Sequence, residues 1–275
     1  MTTNLRKKYS KLIKEIKTLA PFEADLALVL GSGLGEFADT VKKIKSVETS
    51  ALPDYPQSTV EGHKGFIHFC EYEGKRFIVF QGRIHLYEGY TLEQSLLPVL
   101  IANALGADKI LLTNAAGGVG DNLRPGDLMT ITSFNMLNIK KELAETLGLA
   151  TFDERRKVLH DFPSRELTEK LTEAALIEKI HLKEGVYWFN KGPSYETRAE
   201  IQMVKKFGVA AVGMSTAHEA VFAAKIGMSV AAFSLITNFA AGISPVKLSH
   251  REVIETAEAV KPKLERLIKR FVVLN

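Results

Sequence analysis

Over residues 7–19, Tyr9, Leu12, Ile13, Ile16 and Leu19 recur by threes and fours among lysines, which puts them on one face of a helix. The pattern then changes. Leu26–Leu30 is a continuous apolar run ending at a glycine, which fits a strand buried on both faces. Further runs predict strands over 65–72, 76–81, 109–113, 127–131, 185–190, 210–213 and 229–235. Helical spacing returns over 92–105, 196–207, 219–226 and 250–273, the last with Pro262 inside it and a kink expected there. Strands alternating with helices predict an α/β fold with a central, mixed and largely parallel β-sheet flanked by helices on both faces. No Pro/Ser-rich stretch offers a linker and no repeat recurs at a solenoid period, so residues 1–275 are expected to form a single domain.

Composition narrows the class. Apolar residues make up 46% and charged ones 25%, the balance of an ordinary globular protein, and 36 Lys+Arg against 32 Asp+Glu leave a net charge of only +4. The basic residues, Lys42, Lys43 and Lys45 among them, are not interleaved with aromatics along one groove, so nucleic acid is not an expected partner. A single cysteine, Cys70, excludes an intramolecular disulfide framework and a cysteine-rich metal site, which points to a reducing compartment. Lysines interrupt every apolar run of residues 1–24, which argues against a signal peptide or a membrane span there. A cytoplasmic protein with no membrane partner is expected.

Several polar or glycine-rich segments follow apolar strands, the usual position for ligand contacts in α/β sheets. Gly31-Ser32-Gly33-Leu34-Gly35 fits either a tight turn or an anion-binding loop. Glu36 breaks the dinucleotide fingerprint, and no Gly-Lys-Ser/Thr follows to make a Walker loop. In an extended segment Arg83, His85 and Tyr87 would point to one side, where a guanidinium and an imidazole suit phosphate oxygens. The small residues of Thr113-Asn114-Ala115-Ala116-Gly117-Gly118 let a backbone approach a ligand, or serve close packing. Gly192-Pro193-Ser194-Tyr195-Glu196-Thr197, Val212-Gly213-Met214-Ser215-Thr216 and Thr237-Asn238 each place polar groups after a strand.

Together GSGLG at 31–35, EGHKG at 61–65, QGRIHLYEGY at 81–90, TNAAGG at 113–118, GPSYET at 192–197, AVGMST at 211–216 and SLITN at 234–238 closely resemble the trimeric purine nucleoside phosphorylases of the inosine/guanosine type. Their order and spacing match over nearly the whole chain. The resemblance implies a nucleoside-phosphorylase-like fold and an enzyme that converts a purine nucleoside and phosphate to a free base and (deoxy)ribose 1-phosphate. By matching positions, phosphate would be held by Ser32, His63, Arg83, His85, the Ala115 amide and Ser215, and ribose by Tyr87, Met214 and His250. The base would lie by Tyr195 and Val212, with Glu196 and Asn238 on its edge. His85, Glu196 and Asn238 are the implied catalytic groups. Phosphate is a co-substrate, neither a cofactor nor a metal is implied, and the implied assembly is a homotrimer.

These roles suit the chemistry. Breaking a glycosidic bond builds positive charge on the sugar and negative charge on the departing purine; an anion beneath the first and a donor beside the second stabilise both. Asn238 can donate, and a Glu196 carboxylate can accept from N1–H of a 6-oxopurine. The chain departs from the family at Ser133-Phe134-Asn135-Met136-Leu137-Asn138 and in the stretch 152–162, where Phe152 and Phe162 are both candidates for the aromatic the family sends to a neighbouring subunit. Two alternatives are a methylthioadenosine phosphorylase, which would carry aspartate where Asn238 stands, and a non-catalytic nucleoside-binding protein, which would have lost polar groups that are present here.

Overall fold

The computed structural model describes residues 2–60, 64–244 and 250–275. Its strands are β1 (Leu26–Leu30), β2 (Lys42–Glu48), β3 (Phe66–Tyr72), β4 (Lys75–Gln81), β5 (Lys109–Gly118), β6 (Leu128–Asn135), β7 (Leu182–Phe189), β8 (Val209–Gly213) and β9 (Ser229–Phe239). Its helices are α1 (Thr2–Lys8), α2 (Ser10–Leu19), α3 (Leu92–Ser95), α4 (Leu97–Ala104), α5 (Lys140–Leu147), α6 (Phe152–Val158), α7 (Arg165–Ile177), α8 (Arg198–Lys206), α9 (Ala217–Lys225) and α10 (His250–Leu274). None of the described helices is long and apolar enough to cross a membrane.

The strands form one sheet in the order β2-β3-β4-β1-β5-β8-β7-β6-β9, and a further pairing of β5 with β9 closes the last five into a ring. β1 lies between β4 and β5, parallel to both, which is why LALVL is apolar throughout: neither face meets water. Alternation still sorts its side chains. Ala27 and Val29 pack in the layer containing α2, α4 and α9, whereas Leu26, Leu28 and Leu30 pack in the layer containing α7 and α10.

The mixed sheet with helices on both faces is as expected, and the differences are local. β5 does not stop at Thr113. It continues to Gly118, pairing with β9 along its length and with β8 at Gly117 and Gly118, so the segment expected to leave the strand as a loop is itself ladder. β2 was not expected because KKIKSVE has no apolar run; as an exposed edge strand it shows its lysines to water. The helix expected over 92–105 divides at Leu96 into α3 and α4, with Pro98, which has no N–H to donate, in the first turn of the second. α8 begins at Arg198, behind a Thr197 cap that accepts from the Glu200 amide. α10 continues through Pro262 as one element.

Candidate active site

β4 ends at Gln81, and Gly82 then takes a φ of +118°, so Arg83, His85 and Tyr87 do not alternate along an extended strand as the sequence suggested. A short 3₁₀ turn at Leu86–Glu88 follows, yet all three side chains reach the same cleft. That cleft spans about 760 Å³ of space, part of it open to solvent.

Arg83 is fixed from below. Its Nη1 donates to the Thr113 carbonyl at 2.6 Å and to Ser215 Oγ at 3.2 Å, and its Nε lies 3.2 Å from Glu219 Oε2. Both side chains of this ion pair are almost fully buried. A pair so placed is strongly coupled, because removing either member leaves an uncompensated charge in the interior. Glu219 Oε2 also accepts from the Thr216 amide at 3.0 Å. Thr216 has a φ of +72°, and the Ala217 amide donates to the Ser215 carbonyl at 2.8 Å, which makes a strained γ-turn held by its surroundings. The turn sets Ser215 at the start of α9, in the cleft beside Arg83.

His85 is oriented by Glu88, whose Oε1 lies 3.0 Å from the imidazole Nδ1 and accepts the His85 amide at the same distance. With Nδ1 directed at the carboxylate, the orientation of the imidazole in the cleft is set by Glu88. Glu88 also accepts from the Thr59 amide at 2.6 Å and from Ser58 Oγ at 3.1 Å. Burial by itself would raise its carboxyl, but the hydrogen bonds from His85 and Thr59 outweigh that and hold it down to about 2. Tyr87 stacks on His85 with ring centroids 4.6 Å apart, and burial pushes its phenol up to about 12, so it stays protonated.

Across the cleft, Glu196 is buried and its Oε1 accepts from Asn190 Nδ2 at 3.1 Å. Asn238 on β9 has its amide oriented: Nδ2 donates to the Phe239 carbonyl at 3.0 Å and Oδ1 accepts from Thr237 Oγ1 at 2.8 Å. One Nδ2–H then remains for a ligand. Val212 and Met214 line the cleft from β8 and the turn after it, Ala115 from β5, Ser32 from the end of β1 and Tyr195 from the segment before α8. Tyr195 is 47% exposed, so it is not a core residue.

The glycine loop serves packing as well as access. A Cβ on Gly31 would stand 2.7 Å from the Asn114 Cα, and one on Gly33, whose φ is +74°, would stand 2.4 Å from the Ala257 Cβ of α10. Gly192, φ +67°, leaves room for the Met214 sulfur, which a Cβ there would approach to 2.5 Å. His63 lies outside the described residues, as does the side chain of His250. Phe162 packs at a tilt against Phe134 within the chain, ring centroids 5.4 Å apart, whereas Phe152 is 77% exposed. Sequence reasoning missed Glu219, although Thr216-x-x-Glu219 has capping-box spacing, and missed Asn190, for which no local pattern existed.

In this fold polar groups from β1, β4, β5, β8 and β9 gather in one cleft, the arrangement of a small-molecule site in an α/β protein. Residues 25–273 match the family model of the phosphorylase superfamily, and the chain belongs to that family. Purine nucleoside phosphorylase 1 of Geobacillus stearothermophilus is 39% identical over 257 residues, covering 94% of this chain and 93% of that protein. The crystal structure of Schistosoma mansoni purine nucleoside phosphorylase in complex with adenosine superposes with a TM-score of 0.87 at 30% identity, covering 97% of this chain and 96% of that one. Isoform 2 of the Schistosoma mansoni enzyme, in complex with cytosine and ribose-1-phosphate, gives a TM-score of 0.86 at 31% identity, covering 97% and 95%. The expectations of an enzyme, of this family and of this fold are borne out.

Proposed function

We propose that the protein is a purine nucleoside phosphorylase preferring 6-oxopurines such as inosine and guanosine, using phosphate as co-substrate and no cofactor or metal, and working as a homotrimer. The observation that carries the reading is that an anion-binding group, Arg83 with Ser215, His85 and Ser32, and a base-edge group, Glu196 with Asn238, line the same cleft. Phosphate on the first group attacks C1′ of the ribose as the glycosidic bond breaks, and the bonding pair leaves with the purine. The free Nδ2–H of Asn238 is offered to the N7/O6 edge, where negative charge gathers, and the leaving base takes up, through solvent, the proton that hydrogen phosphate gives up on becoming the sugar phosphate. Glu196 keeps an oxygen for N1–H. Tyr87 and Met214 stand against the ribose, and Tyr195 and Val212 against the base.

Incubation with inosine, with and without phosphate, tests this directly. Hypoxanthine and ribose 1-phosphate in equal amounts, only when phosphate is present, are the expected result. Base release that is equally fast without phosphate would make the enzyme a hydrolase and sink the reading. Efficient cleavage of methylthioadenosine in place of inosine would favour the methylthioadenosine alternative.

A further inference from the structure

Asn190 follows the last residue of β7, and its backbone amide donates to the Gly213 carbonyl at 2.9 Å, which ties it to the end of β8. Its side chain has a determined orientation. Oδ1 accepts the Lys191 amide at 3.0 Å and faces Asn138 Nδ2 at 3.4 Å. A backbone N–H can only donate, so the amide oxygen must be the atom turned toward Lys191, and the NH₂ end must face Glu196. Two further contacts hold this corner: Asn138 Nδ2 reaches the Phe189 carbonyl at 3.4 Å, and Lys191 pairs with Glu142 on α5. Asn190 is thus a rigid donor aimed at one carboxylate oxygen, with Oε2 left for whatever enters the cleft.

We infer that Asn190 is a positioning residue for base selection: by donating to Glu196 Oε1 it fixes the carboxylate plane and presents Oε2 as an acceptor to the base edge, favouring a purine whose N1 carries hydrogen. This rests on the proposed function and deepens it. A 6-oxopurine meets Oε2 with N1–H, whereas adenine meets it with a lone pair. The Asn190 amide supplies no proton that could turn the carboxylate into a donor. An aspartate in its place would set two carboxyl groups about 3 Å apart, a spacing at which such groups share one proton. When adenine enters, that retained proton can sit on Glu196 Oε2, where it gives the site the donor that adenine N1 needs, with the charge left on the aspartate.

Asn190→Asp and Asn190→Ala, assayed for kcat/KM on inosine and adenosine together with the phosphate KM, test the inference. For Asn190→Asp, inosine should lose about ten- to a hundredfold, the value of a hydrogen bond to a charged group, and the adenosine-to-inosine ratio should rise about tenfold or more. Asn190→Ala should lower inosine turnover with a smaller change in the ratio, and the phosphate KM should hold in both. A ratio unchanged in both variants, whether activity falls in parallel or stays level, overturns the inference and leaves Asn190 a packing residue. If Asn190→Asp does not fold, the binding of hypoxanthine against adenine by Asn190→Ala decides it: equal losses for both bases overturn the inference. Failure of the unmutated enzyme to cleave inosine with phosphate would instead overturn the functional reading, and the inference with it.

Discussion

His218, the second residue of α9, is fully buried, and neither ring nitrogen has a hydrogen-bond partner; its ring meets Phe189 edge-on at 5.4 Å. Burial pushes the imidazole down to about 4, Glu219 opposes that, and Arg83 and His85 add to it. Because the folded value lies below the unfolded value of 6.5, the unfolded chain binds the proton first as pH falls. Stability is therefore lost between about pH 6.5 and 4, by about 3 kcal/mol in all, and the loss levels off below that window. Calorimetry across this range should show the melting temperature falling with pH, and His218→Leu should flatten the slope; an unchanged slope in the variant would refute the assignment. None of this was visible in the sequence, where His218 is one histidine of seven. Arg83 and Glu196 stood out because charged groups after apolar strands are conspicuous. Glu219 and Asn190 act through long-range partners, so what they do depends on which strands lie side by side.

The glycine loop after β1 shows the same division between what periodicity reveals and what packing decides. Gly33 resembles part of an anion cradle, yet its φ of +74° and the Ala257 Cβ, 2.4 Å from where its own would stand, show that it lets the loop close onto α10. Gly33→Ala should destabilise the fold by about 2 kcal/mol or more through strain and overlap combined. Adding Ala257→Gly removes the overlap, though glycine inside a helix costs about 1 kcal/mol of its own. The pair should therefore be less harmful than the sum of the single changes, and chemical denaturation of all three proteins checks it; strict additivity would mean that the loop does not rest on this helix. Elements with strong periodicity, such as β1 and α2, could be read in advance. β2 could not, because an edge strand shows water a run of charge, nor could the far half of β5, where a Cβ on Gly118 would stand 3.0 Å from the Ile236 Cγ2.

At the scale of the molecule, closing β5 through β9 into a ring brings β5, β8 and β9 together at the cleft and leaves a separate apolar surface elsewhere. That surface is a groove lined by Phe134, Met136, Leu137, Leu143, Leu149 and Leu159, in which Leu137 is 58% and Leu159 37% exposed. Contiguous apolar surface of this kind usually marks contact with another protein. It includes part of the segment 133–138 and runs toward α6, whose first residue, Phe152, is 77% exposed. Phe162, the other candidate for reaching a neighbouring subunit, is already packed against Phe134 within the chain, which leaves Phe152 as the candidate for crossing to a second copy. If the proposed homotrimer forms, sedimentation should give three copies of the 30.4 kDa chain, about 91 kDa. Leu137→Glu, which puts a charge where that contact would form, should shift the population toward monomer, and Phe152→Ala should raise the nucleoside KM with little change in the phosphate KM. A clean, fully active monomer at micromolar concentration would refute the trimer. A trimer in which Phe152→Ala leaves the nucleoside KM unchanged would show that Phe152 does not reach a neighbouring ribose pocket.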